Sequence, residues 1–403
     1  MEYIVQKGDT PLKIASRFGV GVTGILAVNP DIIAPEYLIP GQIIEIPEAS
    51  VKYAAQEGDT LRTISEKFGV TIEEIQRANV LSEDEISIKP GQVFCIPRKR
   101  REGIVQTNQE YTYDNLVEDL ITLAGRYPFI HLEVIGKTVL GKSIYAVRLG
   151  KGSKEVFYSA AWHANEWITS PVLMKFIEDF ADAFSKGNSL RGYDVTSLFH
   201  AFSIWLVPMV NPDGIELVVE GITPCHPLYE RVMKINNGSP FFRQWTANVR
   251  GVDLNHQWPA LWEEEAQTSP ETYAPRHYGG AFPLSEPETK AVYEFTKRHD
   301  FLTVLAYHSQ GQVIYWGFGA ANPEASEKIV TRMQVLSTYT PVHTADSSAG
   351  YKDWFIQEYR RPGYTIEVGV GVNPLPVEQF DTIYNQNLPI LLETPLLVEK
   401  YKG

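Results

Sequence analysis

Val156-Phe157-Tyr158-Ser159-Ala160-Ala161-Trp162-His163-Ala164-Asn165-Glu166-Trp167-Ile168-Thr169 opens as an uncharged, largely apolar run of strand length and closes at the start of a helix. The residues from Thr169 to Phe184 keep a helical apolar spacing. A buried strand feeding directly into a helix is the repeating unit of an α/β domain, and functional groups in such sheets gather at the C-terminal ends of strands. His163 and Glu166 fall at such an end. A His-x-x-Glu spacing alone carries almost nothing, because nine histidines and 49 acidic residues in 403 produce about one by chance.

Two more strand ends give the spacing weight. His308 closes the apolar run Leu305-Ala306-Tyr307-His308-Ser309, and Glu367 lies in Tyr364-Thr365-Ile366-Glu367-Val368-Gly369. His163, Glu166 and His308 make the two-histidine, one-glutamate donor set of a catalytic zinc, which leaves a fourth position open. Glu367 is a carboxylate among apolar neighbours, costly to bury without a task. It is suited to take a proton from an attacking water and pass it to a leaving amine. Singly, each of the four has a plain structural explanation, a core histidine bonded to backbone or a surface glutamate.

An amphipathic helix from Asp114 to Arg126 precedes extended segments at Ile130 to Ile135 and Ile144 to Leu149, and the buried strand runs from Val156 to Ala161. A second apolar strand follows at Phe202 to Val210. Ser285-Glu286-Pro287-Glu288 starts a helix to His299, which feeds a strand at Leu302 to Tyr307. This alternation predicts an α/β domain with a mixed, largely buried sheet.

The first hundred residues are organised differently. Tyr3 to Pro47 and Tyr53 to Pro97 repeat at a constant offset of 50, matching Gly8-Asp9-Thr10 with Gly58-Asp59-Thr60, Phe18-Gly19-Val20 with Phe68-Gly69-Val70, Asn29 with Asn79, and Pro40-Gly41-Gln42 with Pro90-Gly91-Gln92. Each copy predicts a small βααβ module. Asp or Thr caps the first helix, Ile14 or Ile64 lies on its inner face, and Pro-Gly-Gln turns into the closing strand. Arg98-Lys99-Arg100-Arg101 and the polar residues that follow read as a linker. The expected domains are 1–48 and 52–98 as modules, 99–111 as linker and 112–403 as the catalytic domain.

Composition removes several function classes. The chain carries 36 basic and 49 acidic residues, a net charge of −13, of which residues 1–101 contribute only −2. Nucleic acid and anionic membrane surfaces call for a basic face and are excluded as expected partners. The longest apolar stretch, around Phe202 to Val210, is too short to span a bilayer and contains a proline. Cys95 and Cys225 have no metal-type spacing. Met1-Glu2-Tyr3-Ile4-Val5 shows no secretory signal pattern. The expected location is the cytoplasm or a sporulating cell, with wall binding after release.

The two repeats, through Gly-Asp-Thr, Phe-Gly-Val, the central Asn and Pro-Gly-Gln, resemble the lysin motif (LysM) family. That resemblance implies binding of N-acetylglucosamine-containing glycan such as peptidoglycan, with Gly8, Asp9, Thr10, Gly58, Asp59 and Thr60 lining the glycan groove. Two weak sites on one chain gain avidity on one polymer. Residues from about 111 to 400 resemble the zinc metallocarboxypeptidase family, through the four strand-end residues, Asn211-Pro212-Asp213-Gly214 and Gly251-Val252-Asp253-Leu254-Asn255. The resemblance implies one Zn²⁺ held by His163, Glu166 and His308, with Glu367 as general base and Asn255 holding a substrate carboxylate.

The departures from the family pattern bear on substrate. His256 follows Asn255 where the family usually has arginine, and Thr246 stands where many members carry an oxyanion-stabilising arginine, leaving Arg250 or Arg243 to replace it. Lys352 precedes Asp353-Trp354 at the family's specificity position. A lysine in the pocket fits a side chain bearing a carboxylate, and a weakened clamp fits an enzyme not restricted to free C-termini. Two lysin motifs joined to such a catalytic domain resemble the bacterial wall-peptide endopeptidases, and that resemblance implies hydrolysis of the amide between γ-D-Glu and meso-diaminopimelate in peptidoglycan stem peptides, with Asn255, His256, Arg250 and Lys352 on the substrate. The alternatives are a glycan-tethered general carboxypeptidase and a glycan-binding protein with an inactive peptidase domain.

Overall fold

A computed structural model describes residues 103–401 except 321 and 344–347, together with residues 2–5, 14, 25, 29, 32, 38, 41–45, 50–55, 58–68, 72–79 and 88–97. The chain divides into two units, Met1–Glu102 and Gly103–Gly403.

In the second repeat of the N-terminal unit, the strand Ser50–Ala54 pairs antiparallel with Val93–Pro97, and between them lie the helices Leu61–Phe68 and Ile72–Asn79. Thr60 caps the first helix reciprocally: Thr63 N donates to Thr60 Oγ1 at 3.1 Å and Thr60 N to Thr63 Oγ1 at 2.8 Å. Ala55, Ile64, Ile75, Phe94 and Ile96 form the core. In the first repeat Glu2–Ile4 pairs antiparallel with Ile43–Glu45 over a core of Val5, Ile14, Ile25, Leu38 and Ile44. The repeated asparagine is structural. Asn29 Nδ2 donates to Glu45 O at 2.5 Å and Asn29 Oδ1 accepts from Glu45 N at 2.6 Å, tying Asn29 to the closing strand. Gly58 adopts φ +89° and Asp59 accepts from Tyr53 Oη at 2.7 Å. Gly8, Asp9 and Thr10 lie outside the described residues.

The second unit is built on eight strands, β1 His131–Lys137, β2 Ser143–Gly150, β3 Lys154–Ser159, β4 Phe202–Val207, β5 Phe301–Ser309, β6 Val313–Trp316, β7 Thr340–Val342 and β8 Gly363–Val368. They form one mixed sheet in the order β7-β6-β8-β5-β3-β4-β2-β1. The central strands β4, β3, β5 and β8 are mutually parallel, and antiparallel pairings occur toward the edges at β1–β2, β2–β4 and β6–β8. Every residue of β4 and β5 is buried, as expected of parallel strands covered on both faces.

The two faces feed separate cores with the period of two that strands impose. Val156 and Tyr158 of β3, Ile204 and Leu206 of β4, and Leu305 and Tyr307 of β5 pack into one core. Phe157, Trp205, Val304 and Ala306 enter the other, with Phe295 and Val292 from the helix Pro287–Arg298 and with Trp354 and Phe355 from the helix Tyr351–Tyr359.

Three sequence boundaries shift. The strand expected to run to Ala161 ends at Ser159, and the one expected to reach Val210 ends at Val207. The expected linker 99–111 is shorter at its C-terminal end, since the compact unit begins at Gly103. Val105 and Tyr111 are in the core, and Tyr111 Oη donates to buried Asp119 Oδ2 at 2.6 Å. Polar composition hid this, because the segment is anchored by two scattered apolar side chains rather than by a periodic face. Among the described residues no helix is long and apolar enough to cross a membrane.

Candidate active site

Beyond β3 the chain turns sharply. Buried Ala161 adopts φ +54°, a left-handed conformation costing a non-glycine residue about 1–2 kcal/mol. It is held there from both sides, because Ala161 N donates to Thr169 Oγ1 at 2.9 Å and Asn211 N donates to Ala161 O at 3.0 Å. The turn buries Trp162 and brings His163 and the short 3₁₀ turn Ala164–Glu166 to the sheet's C-terminal edge. Asn211 Nδ2 donates to Trp162 O and to Ala247 O, both at 3.1 Å, while its Oδ1 caps the helix Pro212–Glu220 through Gly214 N at 3.1 Å. This explains the Asn-Pro-Asp-Gly run. A Cβ at position 214 would lie 2.6 Å from Asn211 Oδ1, so only glycine fits.

On the neighbouring strands His308 of β5 and Glu367 of β8 are register partners. His308, His163 and Glu166 then converge. His163 Nδ1 lies 2.8 Å from Glu166 Oε1, His308 Nδ1 lies 3.0 Å from Glu166 Oε2, and the two Nδ1 atoms are 3.3 Å apart. Donors bound to zinc at about 2.1 Å in tetrahedral geometry are separated by about 3.4 Å, so the arrangement fits the ion. These three residues offer ligand atoms within 4.8 Å of one another. When bound, zinc supplies Lewis-acid polarisation of a substrate carbonyl.

Charge in the cluster is strongly coupled to burial. Burial opposes the charged form of both His163 and Glu166, yet the carboxylates of Glu166 and Asp253 hold His163 well above the usual histidine range. Glu166 is brought down to about 2 by the two imidazoles despite its burial. Burial and then the Glu166 charge push the Glu367 carboxyl well above its ordinary value, with His163 opposing. With a dication held by these donors, the two rings would be deprotonated at their ligand nitrogens and the ionised form of Glu367 would be favoured. In that form Glu367 can accept a proton from water.

Asp253, quoted in a motif without a role of its own, is the partner of His163. Its Oδ1 accepts from His163 Nε2 at 3.2 Å and from Asn255 N at 3.1 Å, and its Oδ2 accepts from Thr246 Oγ1 at 3.3 Å and from His277 N at 3.1 Å. Proton on Nε2 leaves Nδ1 as the ligand nitrogen, the carboxylate-histidine-metal relation common in zinc sites. Asp253, His256 and His277 also lie close enough to suggest a second metal group. The four acceptor positions of Asp253 are already filled by these donors, which argues against it as a ligand there.

The substrate-side residues gather around the N-terminus of the helix Tyr351–Tyr359. Asn255 Oδ1 accepts from Tyr351 N at 3.2 Å. Lys352 is buried, donating to Gly317 O at 2.8 Å and to Asp353 Oδ1, while Asp353 Oδ2 accepts from Gly350 N at 3.2 Å. His256 Nδ1 faces Glu265 Oε1 at 3.1 Å, out of line for a hydrogen bond, and Glu265 Oε2 accepts from Ser348 N at 2.8 Å. Burial lowers the His256 pKa but Asp253 and Glu265 more than compensate, raising it overall. Trp162, Trp258 and Tyr351 pack ring on ring beneath, linking the His163 turn to the Lys352 helix.

The arginines proposed from sequence go elsewhere. Arg250 faces Glu286 at 3.5 Å and Arg243 faces Glu110 at 3.2 Å, while Thr246 is buried on Asp253. Neither guanidinium is drawn into the ligand cluster by these contacts. Asn373, absent from the sequence expectations, donates to Ser309 O at 2.6 Å and to Glu166 Oε1 at 3.5 Å. No local signal marks it, since it acts on Glu166 across 207 positions.

A mixed sheet with this donor set at its C-terminal edge defines a metallopeptidase of the carboxypeptidase class. The chain belongs to the zinc carboxypeptidase family, whose model matches residues 116–389, and it carries two LysM domains, matched at 3–47 and 53–97. It is 44% identical over 289 residues to gamma-D-glutamyl-L-diamino acid endopeptidase 1 of Lysinibacillus sphaericus, covering 72% of this chain and 73% of that one. It is 37% identical over 304 residues to the uncharacterized protein YqgT of Bacillus subtilis, covering 74% and 81%. Thrombin activatable fibrinolysis inhibitor shares the fold at TM-score 0.60 and 17% identity, over 79% of this chain and 92% of that one.

Proposed function

We propose that this zinc peptidase hydrolyses the amide between the γ-carboxyl of D-Glu and diaminopimelate in peptidoglycan stem peptides. In this proposal His163, Glu166 and His308 hold the metal, Glu367 exchanges the proton, and Asn255, His256 and Lys352 meet the diamino acid. Arg250, held on Glu286, takes no part in the proposal. The observation that carries it is the buried Lys352–Asp353 pair, whose helix start is bonded to Asn255 through Tyr351 N, with the His256–Glu265 pair tied to the preceding Ser348 N. Paired charges of both signs suit a head group bearing an amine and a carboxylate better than a plain C-terminal carboxylate. The relative whose printed name specifies γ-D-glutamyl-L-diamino acid bonds supports the same substrate. The LysM domains then hold the enzyme on glycan carrying N-acetylglucosamine, in a sporulating cell, on wall fragments in the cytoplasm, or on the wall after release.

The test is incubation of the zinc-loaded protein with L-Ala-γ-D-Glu-meso-diaminopimelate and with an ordinary C-terminal peptide, products identified by mass. Release of L-Ala-D-Glu from the first alone is the expected result. Trimming of the ordinary peptide with no attack on the first would replace the proposal with a general carboxypeptidase.

A further inference from the structure

Arg276 differs from the other two arginines considered at the site. Arg250 and Arg243 face carboxylates, whereas Arg276 Nη1 reaches, among the described residues, the main-chain O and the side-chain Oε1 of Gln244, each at 3.4 Å. Its side chain is exposed. A guanidinium with only neutral acceptors keeps its charge and most of its donors for an incoming anion.

The backbone that carries it is firmly placed. Pro275 O accepts from Thr246 N at 2.9 Å and from Ala247 N at 3.1 Å, and His277 N donates to Asp253 Oδ2 at 3.1 Å. Asp253 holds His163, and Gln244 Nε2 donates to Asn373 O at 3.3 Å, whose side chain touches Glu166. Arg276 therefore springs from a fixed segment beside the supports of two metal-ligand residues.

The proposed substrate brings an anion to this region. A γ-linked D-glutamyl residue keeps its own α-carboxylate, separated from the scissile carbonyl by three carbons. The Lys352 helix meets the other side of the bond, so this carboxylate needs a separate cation. We infer that Arg276 binds the free α-carboxylate of the D-glutamyl residue and thereby selects stem peptides in which that group is not amidated. The inference rests on the substrate proposal above. A guanidinium matches a carboxylate with two parallel N–H donors, whereas a carboxamide offers one oxygen and no charge. Stabilising the oxyanion would instead call for a donor fixed in advance, and an exposed arm on two 3.4 Å contacts is not fixed in that way.

The experiment uses the full zinc-loaded chain, its metal content checked, with L-Ala-γ-D-Glu-meso-diaminopimelate and the matching D-isoglutamine peptide. Wild type, Arg276→Gln and Arg276→Lys are compared by kcat and KM at low and high salt. Wild type should favour the acid by about tenfold in kcat/KM, the size of one net hydrogen bond to a charged group, through KM and less so at high salt. Arg276→Gln should bring the ratio close to one, and Arg276→Lys should fall between because it keeps charge without the fork. Equal cleavage of both peptides by wild type overturns the inference. A common fall in kcat on both peptides in Arg276→Gln, with the preference retained, also overturns it and moves the guanidinium to the scissile carbonyl. Cleavage of neither peptide by wild type removes the substrate proposal and this inference with it.

Discussion

Replacing Asp253 with Asn separates a support for the metal from the metal ligands themselves. Asp253 accepts four hydrogen bonds, two on each oxygen, and an asparagine supplies only one oxygen. If that oxygen faces His163 Nε2 and Asn255 N, the new amide group meets the His277 N–H, donor against donor. Leaving such a buried donor unpaired costs about 1–3 kcal/mol of stability. If the amide is turned the other way, its N–H₂ faces His163 Nε2. The imidazole then favours a proton on Nδ1, the atom that lies 2.8 Å from Glu166 Oε1 and must be deprotonated to bind metal. Either arrangement weakens the site, and loss of such a supporting carboxylate typically lowers metal affinity by about 10- to 100-fold, or about 1.4–2.7 kcal/mol. Zinc affinity measured by chelator competition on the full chain, beside thermal melts with and without zinc, reads both effects. Thr246→Val, which removes the hydroxyl contacts to Asp253 Oδ2 and Pro275 O, both at 3.3 Å, but keeps the carboxylate, should change affinity much less. An Asp253→Asn protein that folds and binds zinc within about twofold of wild type would refute the assignment of Asp253 as the group that fixes His163.

Glu367→Gln should keep its zinc and lose about 10²- to 10⁴-fold in kcat on a cleaved substrate; undiminished turnover would remove Glu367 as proton carrier. Because the ionised form is the base, kcat/KM should rise with pH through the titration of Glu367, which burial first and Glu166 second shift upward and bound zinc shifts back. A flat acid limb in wild type would contradict this. Stability carries a separate pH signal at Asp119, whose pKa burial raises from 3.8 to about 8. The folded state then binds a proton that the unfolded state has released, so the contribution of this group is most favourable below about pH 4 and is lost as pH rises toward 8. Asp119→Asn should flatten that fall in denaturant midpoints taken across the range, and an unaltered slope would point to another group. Gly214→Ala places a Cβ 2.6 Å from Asn211 Oδ1 and 2.7 Å from Ala247 O, so it should destabilise by about 1–3 kcal/mol in a chemical melt.

The sequence alone determined which residues stand at the strand ends. Long apolar runs mark buried parallel strands and place His163, Glu166, His308 and Glu367 at or just beyond their ends; singly each has a plain structural explanation, and it was the set of four, with its resemblance to the zinc metallocarboxypeptidase pattern, that could be read. The repeat at offset 50 likewise specified two modules, since Ile64 and Ile75 recur on the faces that a small core needs. The C-terminal helix Phe380–Lys400 is not legible in the same way, because Pro389 and Pro395 lie inside it and interior proline disfavours a helix by about 3 kcal/mol; its long buried face outweighs that cost. Tertiary structure alone decided the pairings. Asp253 reaches His163 across 90 positions, and Arg250 is directed to Glu286 rather than to the ligand cluster. Burial is a local property that composition and period record along the chain. The partner of a charged side chain is chosen by which distant segments the sheet brings together, and no short stretch of sequence contains that choice.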